Sequence, residues 1–332
     1  MIVRKYNLNI DAVLDKKFTK KVIYNGFIAY PLNQYLPNEK EKEDLLVVIT
    51  IGKSEYHEEV LEFLKGLGMK NIIFAKDIYE FNLPYMPVEL KQKGFRFYLD
   101  NKEKILSCFE IFQDDISCEI YTLFIKTHML KKVFSIPYRP VEEQYFPNDV
   151  PLTKGYENFV HCGAFDGSTI KYLNKKIGKI RKLVCFEPNL DNFSLLTGCL
   201  SEAKNKIAED IFCYPCGVYD KEKQISFRKS MHTSHIEEKG DSFIICAALD
   251  NLLPKFRSTF ISMDIEGAEL EALKGAEKTI RENIPDLGIS VYHLPNHIWE
   301  IPLYLEQLKI GYKFFLRNYS GFAIETILYA TV

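Results

Sequence analysis

The chain has 332 residues, of which 47% are hydrophobic and 14% aromatic, and its formal charge is -2 with a pI near 6.4. This is a globular composition with enough apolar residues for a sizeable core and enough length for two domains. The charge balance argues against nucleic-acid binding as the main role. The start, Met1-Ile2-Val3-Arg4-Lys5, has no apolar core of signal-peptide length, and the run Leu45 to Gly52 is too short to span a bilayer, so a cytoplasmic protein is expected.

Residues 1–150 and 151–332 read as two units. In the first, Leu45 to Ile51 is an apolar strand, Glu55 to Leu67 an amphipathic helix ended by Gly68, and Asn71 to Ala75 a second strand. This is a β-α-β unit, a partial Rossmann-like half. Gly52-Lys53-Ser54 is not a P-loop, because Val47 stands where that motif needs its first glycine. One long or two short helices follow over 102–129. The proline-rich polar stretch from Tyr138 to Pro151 reads as a linker.

The second unit alternates. Strands are predicted at 158–162, 182–187, 211–216, 258–264 and 287–293, with helices at 168–178, 190–205, 267–282 and 298–309. A hairpin insertion is predicted over 223–248, and the chain closes in a hairpin around Ser320-Gly321. The fold class is therefore α/β, a mostly parallel Rossmann-like sheet with a terminal antiparallel hairpin. The eight cysteines are scattered. Cys213-Tyr214-Pro215-Cys216 lacks a second pair for zinc and a following helix for redox chemistry, so both thiols read as strand cysteines.

Three strand tips carry binding chemistry. His161, Gly163, Ala164, Asp166, Gly167 and Thr169 form a glycine turn into a helix, where a backbone can approach a ligand closely. The spacing is G-x-x-x-G rather than the G-x-G-x-x-G of dinucleotide sites. Glu187 ends the next strand and can accept hydrogen bonds from both ribose hydroxyls, and Pro188 and Asn189 turn the chain into a helix. Cys216 and Gly217 leave room for an adenine ring after the third strand.

The run from Phe159 to Ala330 resembles the FkbM-type methyltransferases. The likeness rests on Phe159 to Thr169, Phe186-Glu187-Pro188-Asn189, Ser262 to Glu269, Leu273-Lys274-Gly275-Ala276, Ser290-Val291-Tyr292-His293 and Glu325 to Ala330. It implies a class I methyltransferase fold, S-adenosylmethionine as cofactor, and O-methylation of sugars or small natural products, often in surface-polysaccharide synthesis. Two positions depart from the pattern. His161 stands where the family usually has an acid that holds the methionine end of the cofactor, and Ser262 stands where a lysine is common.

Asp264, Glu266 and His293 are the catalytic candidates. Asp264 and His293 end neighbouring strands in the inferred sheet, so their side chains should meet over the acceptor pocket. Asp264 or His293 would take the hydroxyl proton, or a divalent cation held by Asp264, Glu266 and His293 would lower the hydroxyl pKa. Glu269 reads as a first-turn charge on a helix, His297 as a loop or cap residue, His232 and His235 as insertion residues facing solvent or substrate, and Trp299 as core or as a sugar platform. The expected partner is a small-molecule or nucleotide-linked sugar, with no nucleic acid and no membrane span. The N-terminal unit would bind a partner, hold a homodimer or shape the acceptor site. Two other readings stay open: a non-catalytic binding module that keeps the fold, suggested by His161, and a nicotinamide-dependent oxidoreductase, opposed by the glycine spacing.

Overall fold

The computed structural model describes residues 11–24, 26–31, 34–35, 45–51, 56–74, 94–132, 134–228, 235–236 and 242–332. Gly52-Lys53-Ser54 and His232 lie outside them. The chain divides into two compact units, Met1–Pro84 and Tyr85–Val332.

In the first unit, β1 (Val13–Leu14), β2 (Val22–Tyr24) and β3 (Phe27–Tyr30) form a small sheet in the order β1-β3-β2. The β-α-β unit is present. β4 (Leu46–Ile49) and β5 (Asn71–Phe74) pair in parallel around α1 (His57–Gly66). Ile49, Val60, Leu64 and Met69 are its core.

The second unit opens with α2 (Gly94–Asp100), α3 (Lys102–Phe109) and α4 (Asp115–Leu130). It continues through β6 (Asn158–Cys162), α5 (Ser168–Lys176), β7 (Ile180–Phe186), α6 (Leu190–Ile207) and β8 (Ala208–Tyr214). An insertion then forms a separate four-stranded sheet from β9 (Gly217–Val218), β10 (Lys223–Arg228), β11 (His235–Ile236) and β12 (Ser242–Ala247), and α7 (Leu249–Leu252) follows. The rest is β13 (Phe260–Met263), α8 (Glu269–Lys274), α9 (Glu277–Asn283), β14 (Asp286–Ser290), α10 (His297–Gln307), β15 (Lys313–Asn318) and β16 (Thr326–Thr331).

Seven strands make the main sheet in the order β15-β16-β14-β13-β6-β7-β8. β8, β7, β6, β13 and β14 are parallel. β16 runs antiparallel between β14 and β15, so the expected terminal hairpin is there. Every residue of β6, β13, β14 and β16 is buried, as expected when both sheet faces are covered. One face packs on a cluster that includes Phe124, Trp299 and Phe314, the other on a cluster that includes Phe159, Leu183 and Ile170. Among the described residues, no helix is long and apolar enough to cross a membrane.

Three expectations change. The boundary expected at residue 150 is not where the chain divides, because α2 to α4 pack into the core of the sheet through Tyr98, Tyr121 and Phe124. The expected linker folds onto the same unit, with Tyr145, Phe146 and Val150 buried in the other cluster. The helix expected over 267–282 is two helices. Gly275 packs so close to the Tyr219 carbonyl that a Cβ there would clash, and the Asp250 carboxylate accepts the N–H groups of Lys278 and Thr279 at the start of α9. Trp299 is core: it is fully buried between Phe97 and Tyr98.

Arg317 on β15 clamps the early helices to the sheet. Its guanidinium donates to Asp114 at 2.7 Å and Asp149 at 3.0 Å, and Asp114 also caps α4 through the Ser117 N–H. Burial would raise both carboxyls, but Arg317, with Ser117 for Asp114 and Arg139 for Asp149, holds them below their usual range. Their contribution is therefore present above about pH 4 and lost as pH falls. Arg317→Met leaves both carboxylates without this partner and is expected to cost about 3 kcal/mol in urea unfolding at pH 7. A loss below about 1 kcal/mol would mean the clamp adds little.

Candidate functional site

A cavity of about 340 Å³ opens where β6, β7, β13 and β14 end at their carboxyl termini. The turn after β6 is built by glycine. Gly163 has φ +83°, and a Cβ there would sit 1.9 Å from the carbonyl oxygen of Asp264, so only glycine lets β6 and β13 release their chains side by side. The N–H groups of Gly163 and Ala164 both donate to the Phe186 carbonyl at 2.9 and 3.0 Å, which ties the turn to β7. Gly167, at φ +83°, is the N-cap of α5.

Glu187, which follows β7, is 6% exposed and accepts the Phe165 N–H at 3.0 Å and the Asn189 N–H at 2.8 Å. Each oxygen keeps lone pairs for a further donor. Burial raises its pKa despite these bonds. Of the residues expected to hold a cofactor, His161, Gly163, Thr169, Glu187, Pro188, Cys216 and Gly217 line the cavity. Ala164, Asp166, Gly167 and Asn189 are not among the residues that line it. Asp166 accepts the Ser168 N–H, and Asn189 caps α6 through the N–H groups of Asp191 and Asn192.

His161 and Ser262, the two departures from the family pattern, touch. They are register partners on β6 and β13, with Nδ1 and Oγ 2.7 Å apart. Burial lowers the His161 pKa to about 4, so its ring is neutral near pH 7. Its Nε2 is buried without a partner among the described residues. A neutral hydrogen-bonded pair thus occupies positions where the family pattern has an acid and a lysine.

The loop after β13 gathers the acidic groups. Glu269, expected as a first-turn charge, is instead 0% exposed. Its Oε1 accepts the N–H groups of Ile265 at 2.9 Å and Gly267 at 3.3 Å, and lies 2.8 Å from His293 Nδ1. Its Oε2 lies 3.2 Å from Nδ1 of His297, the first residue of α10. On the other side of the His293 ring, Nε2 lies 3.3 Å from Asp264 Oδ1 and 3.6 Å from Glu266 Oε2. The structure thus brings Asp264, Glu266 and His293 together. Asp264 and Glu266 line the cavity, and His293 stands just behind them.

Burial opposes charge on His293, but the carboxylates of Glu269, Asp264 and Glu266 outweigh it and raise its pKa to about 10. Burial likewise works against charge on Glu269, where His293 and His297 prevail and hold the carboxyl far below its usual range. Burial raises the pKa of Asp264, and raises those of Glu266 and Glu325 to about 7 each. Asp264, Glu269 and His293 offer donor atoms within 4.8 Å of one another, a set that could hold a metal ion. Glu269 is the most committed of the three, because backbone N–H groups already occupy it.

Residues not singled out from sequence complete the wall. Tyr145 donates its hydroxyl to Asp264 Oδ2 at 3.1 Å, and Tyr292 donates to Oδ1 at 3.3 Å. Gln144 donates to Glu325 at 3.0 Å. Tyr292 and Glu325 lie inside blocks that carry the family resemblance. Gln144 and Tyr145 lie in the stretch expected to be a linker. Among the described residues eight non-glycines have positive φ, and four of them, Tyr145, Phe165, Glu266 and Glu325, line this cavity. Such conformations cost about 1–3 kcal/mol each and concentrate at functional sites.

These shifts make stability depend on pH. His293 is raised from 6.5, so its contribution is complete below about pH 6.5 and is lost as pH rises towards 10. Glu269 is lowered from 4.5, so its contribution is complete above about 4.5 and is lost on acidification. Glu266, raised from 4.5 to about 7, adds a loss across that interval. Imidazole NMR is expected to find His293 protonated through pH 8. In Glu269→Gln its pKa is expected to fall by at least about one unit. A His293 that titrates near 6.5 in the native protein would contradict the pairing.

The family model described as the methyltransferase FkbM domain matches residues 161–315. No curated protein matches the chain. Among solved structures, a methyltransferase FkbM from Methylobacillus flagellatus KT superposes with a TM-score of 0.68 at 20% identity, over 96% of this chain and 82% of that one. An O-methyltransferase from Bacillus cereus, solved with SAH, reaches a TM-score of 0.37 at 11% identity, over 72% of this chain and 96% of that one. Fibrillarin from Aeropyrum pernix, with bound S-adenosyl-L-methionine, also reaches 0.37 at 11%, over 55% and 70%. These last two are too remote to bear on the chemistry here. The sheet order with its inserted antiparallel strand is a class I methyltransferase fold, and residues 161–315 match the FkbM methyltransferase domain.

Proposed function

We propose that the protein is an S-adenosylmethionine-dependent O-methyltransferase acting on a sugar hydroxyl, the sugar being nucleotide-activated or a surface-polysaccharide precursor. The observation that carries this reading is the charge of the cavity. Glu187, Asp264, Glu266 and Glu325 line it, and among the described residues no lysine or arginine does. A sulfonium and an ammonium are favoured in such a field, and a diphosphate is not. The nicotinamide reading therefore loses support, and any phosphates on the acceptor would lie outside this cavity. Glu187 would hold the ribose, and His161 Nε2 would meet the methionine end. Gln144, Tyr145 and Tyr292 offer polar contacts to a polyhydroxylated acceptor.

In the reaction, the acceptor oxygen attacks the sulfonium methyl in line. The carbon–sulfur bond breaks with its electron pair left on sulfur, and the hydroxyl proton passes to a carboxylate. We assign that carboxylate to Asp264, whose raised pKa makes it a better base. His293 is protonated at neutral pH and has no room for the proton. Its role is to hold Asp264 and Glu266 beside each other without mutual repulsion.

A divalent cation is the second reading. Asp264, Glu266 and His293 would hold it, with Glu269 orienting the histidine from its far side. Such an ion would lower the pKa of the acceptor hydroxyl. Full activity of metal-free protein in chelator would exclude it.

S-adenosylmethionine at a hundred times its dissociation constant is expected to stabilise the protein by about 2.7 kcal/mol in thermal unfolding. Glu187→Ala should reduce that shift. Asp264→Asn should keep it while methyl transfer falls by about 10²–10⁴. No shift in the native protein would favour the non-catalytic binding module.

A further inference from the structure

A second cavity, of about 380 Å³, lies between β7, β8 and the segment after α7. Its chemistry is the reverse of the first. Arg181, Lys182, Lys255 and Arg257 line it, and among the described residues no carboxylate does. None of the four cations forms an ion pair among the described residues, although the chain as a whole is slightly acidic. Four like charges around one concavity repel one another, and an anion bound between them relieves that repulsion. The remaining wall is apolar and aromatic and includes Phe212, which is 42% exposed.

Asn158 adds an independent mark. It lines this cavity and is 3% exposed. Its Nδ2 donates to the Arg257 carbonyl at 2.6 Å, but its Oδ1 is buried with no partner among the described residues. Leaving a buried acceptor unpaired is costly, so such atoms normally meet a protein group, a water or a ligand. A ligand hydroxyl or N–H would satisfy it.

We infer that this cavity is a binding site for a nucleoside diphosphate. The cations fit the phosphates, guanidinium groups giving paired N–H donors to each. The exposed ring of Phe212 offers a face for a base, and Asn158 Oδ1 accepts from a sugar or base. The volume is in the range of small-ligand sites. The site is distinct from the acidic cavity but adjoins it. Phe186 lines the acidic cavity, Tyr214 lines this one, and their rings stack at 5.1 Å and 14°. A ligand here would bear on that shared wall. The assignment does not depend on the proposed methyl transfer.

The test is calorimetric titration with uridine diphosphate, inorganic pyrophosphate and uridine. Uridine diphosphate avoids the adenine that the first cavity would take. The expected result is one site per chain for uridine diphosphate, with pyrophosphate weaker by about tenfold or more and no measurable heat for uridine. Arg181→Gln with Lys255→Gln, both at exposed positions, should weaken uridine diphosphate by about a hundredfold, and Glu187→Ala in the other cavity should leave it unchanged. The inference is overturned if uridine diphosphate gives no binding, if the double variant binds as tightly as the native protein, if Glu187→Ala is the variant that loses binding, or if pyrophosphate binds equally well.

Discussion

The buried carboxylate of Glu269 is the interaction on which the acidic site depends. It accepts two backbone N–H groups of the loop that carries Glu266, and it faces two histidines from the next strand end and helix. A fully buried charge without partners would be prohibitive, so the loop, His293 and His297 must arrive together. That requirement sets the path of residues 264–269 and presents Asp264 and Glu266 to the cavity. It also charges His293, and the resulting cation lets two further carboxylates stand within 4 Å of one ring.

Around that pair the protein accepts local costs. Glu266 and Glu325 are held in left-handed backbone with raised pKa values, and Tyr145 is held the same way while its hydroxyl reaches Asp264. These costs are offset elsewhere in the same unit, by strands buried on both faces and by the Arg317 clamp. The result is a cavity rich in carboxylate and short of cations, next to one with the opposite balance. The chain's near-neutral total charge conceals this separation.

The sheet was legible because its central strands are continuous apolar runs punctuated by Gly163, Gly217 and Gly267, and because two further apolar runs flank the turn at Ser320-Gly321. The acidic loop was legible as chemistry: Asp264, Glu266 and His293 do converge. The role of Glu269 was not, since first-turn acids are usually solvated and nothing local to the sequence distinguishes a buried one. Tyr145 was hidden for another reason. It reaches Asp264 across 119 positions of chain, from a stretch whose prolines read as a connector. Likewise the contact of His161 with Ser262 depends on strand register, which fixes that β6 and β13 are neighbours only once the sheet order is known. The boundary at residue 150 failed because α4 packs on β15, a strand near the far end of the chain, and α2 and α3 pack on α4 and α10.

In the proposed reaction one acidic cavity brings a sulfonium methyl and an acceptor hydroxyl together over Asp264. A crystal structure with S-adenosylhomocysteine tests it most directly. The expected result is the ribose hydroxyls on Glu187, the methionine end at His161, and the sulfur facing open space beside Asp264. A ligand bound with its sulfur turned away from Asp264, or bound outside this cavity, would contradict it.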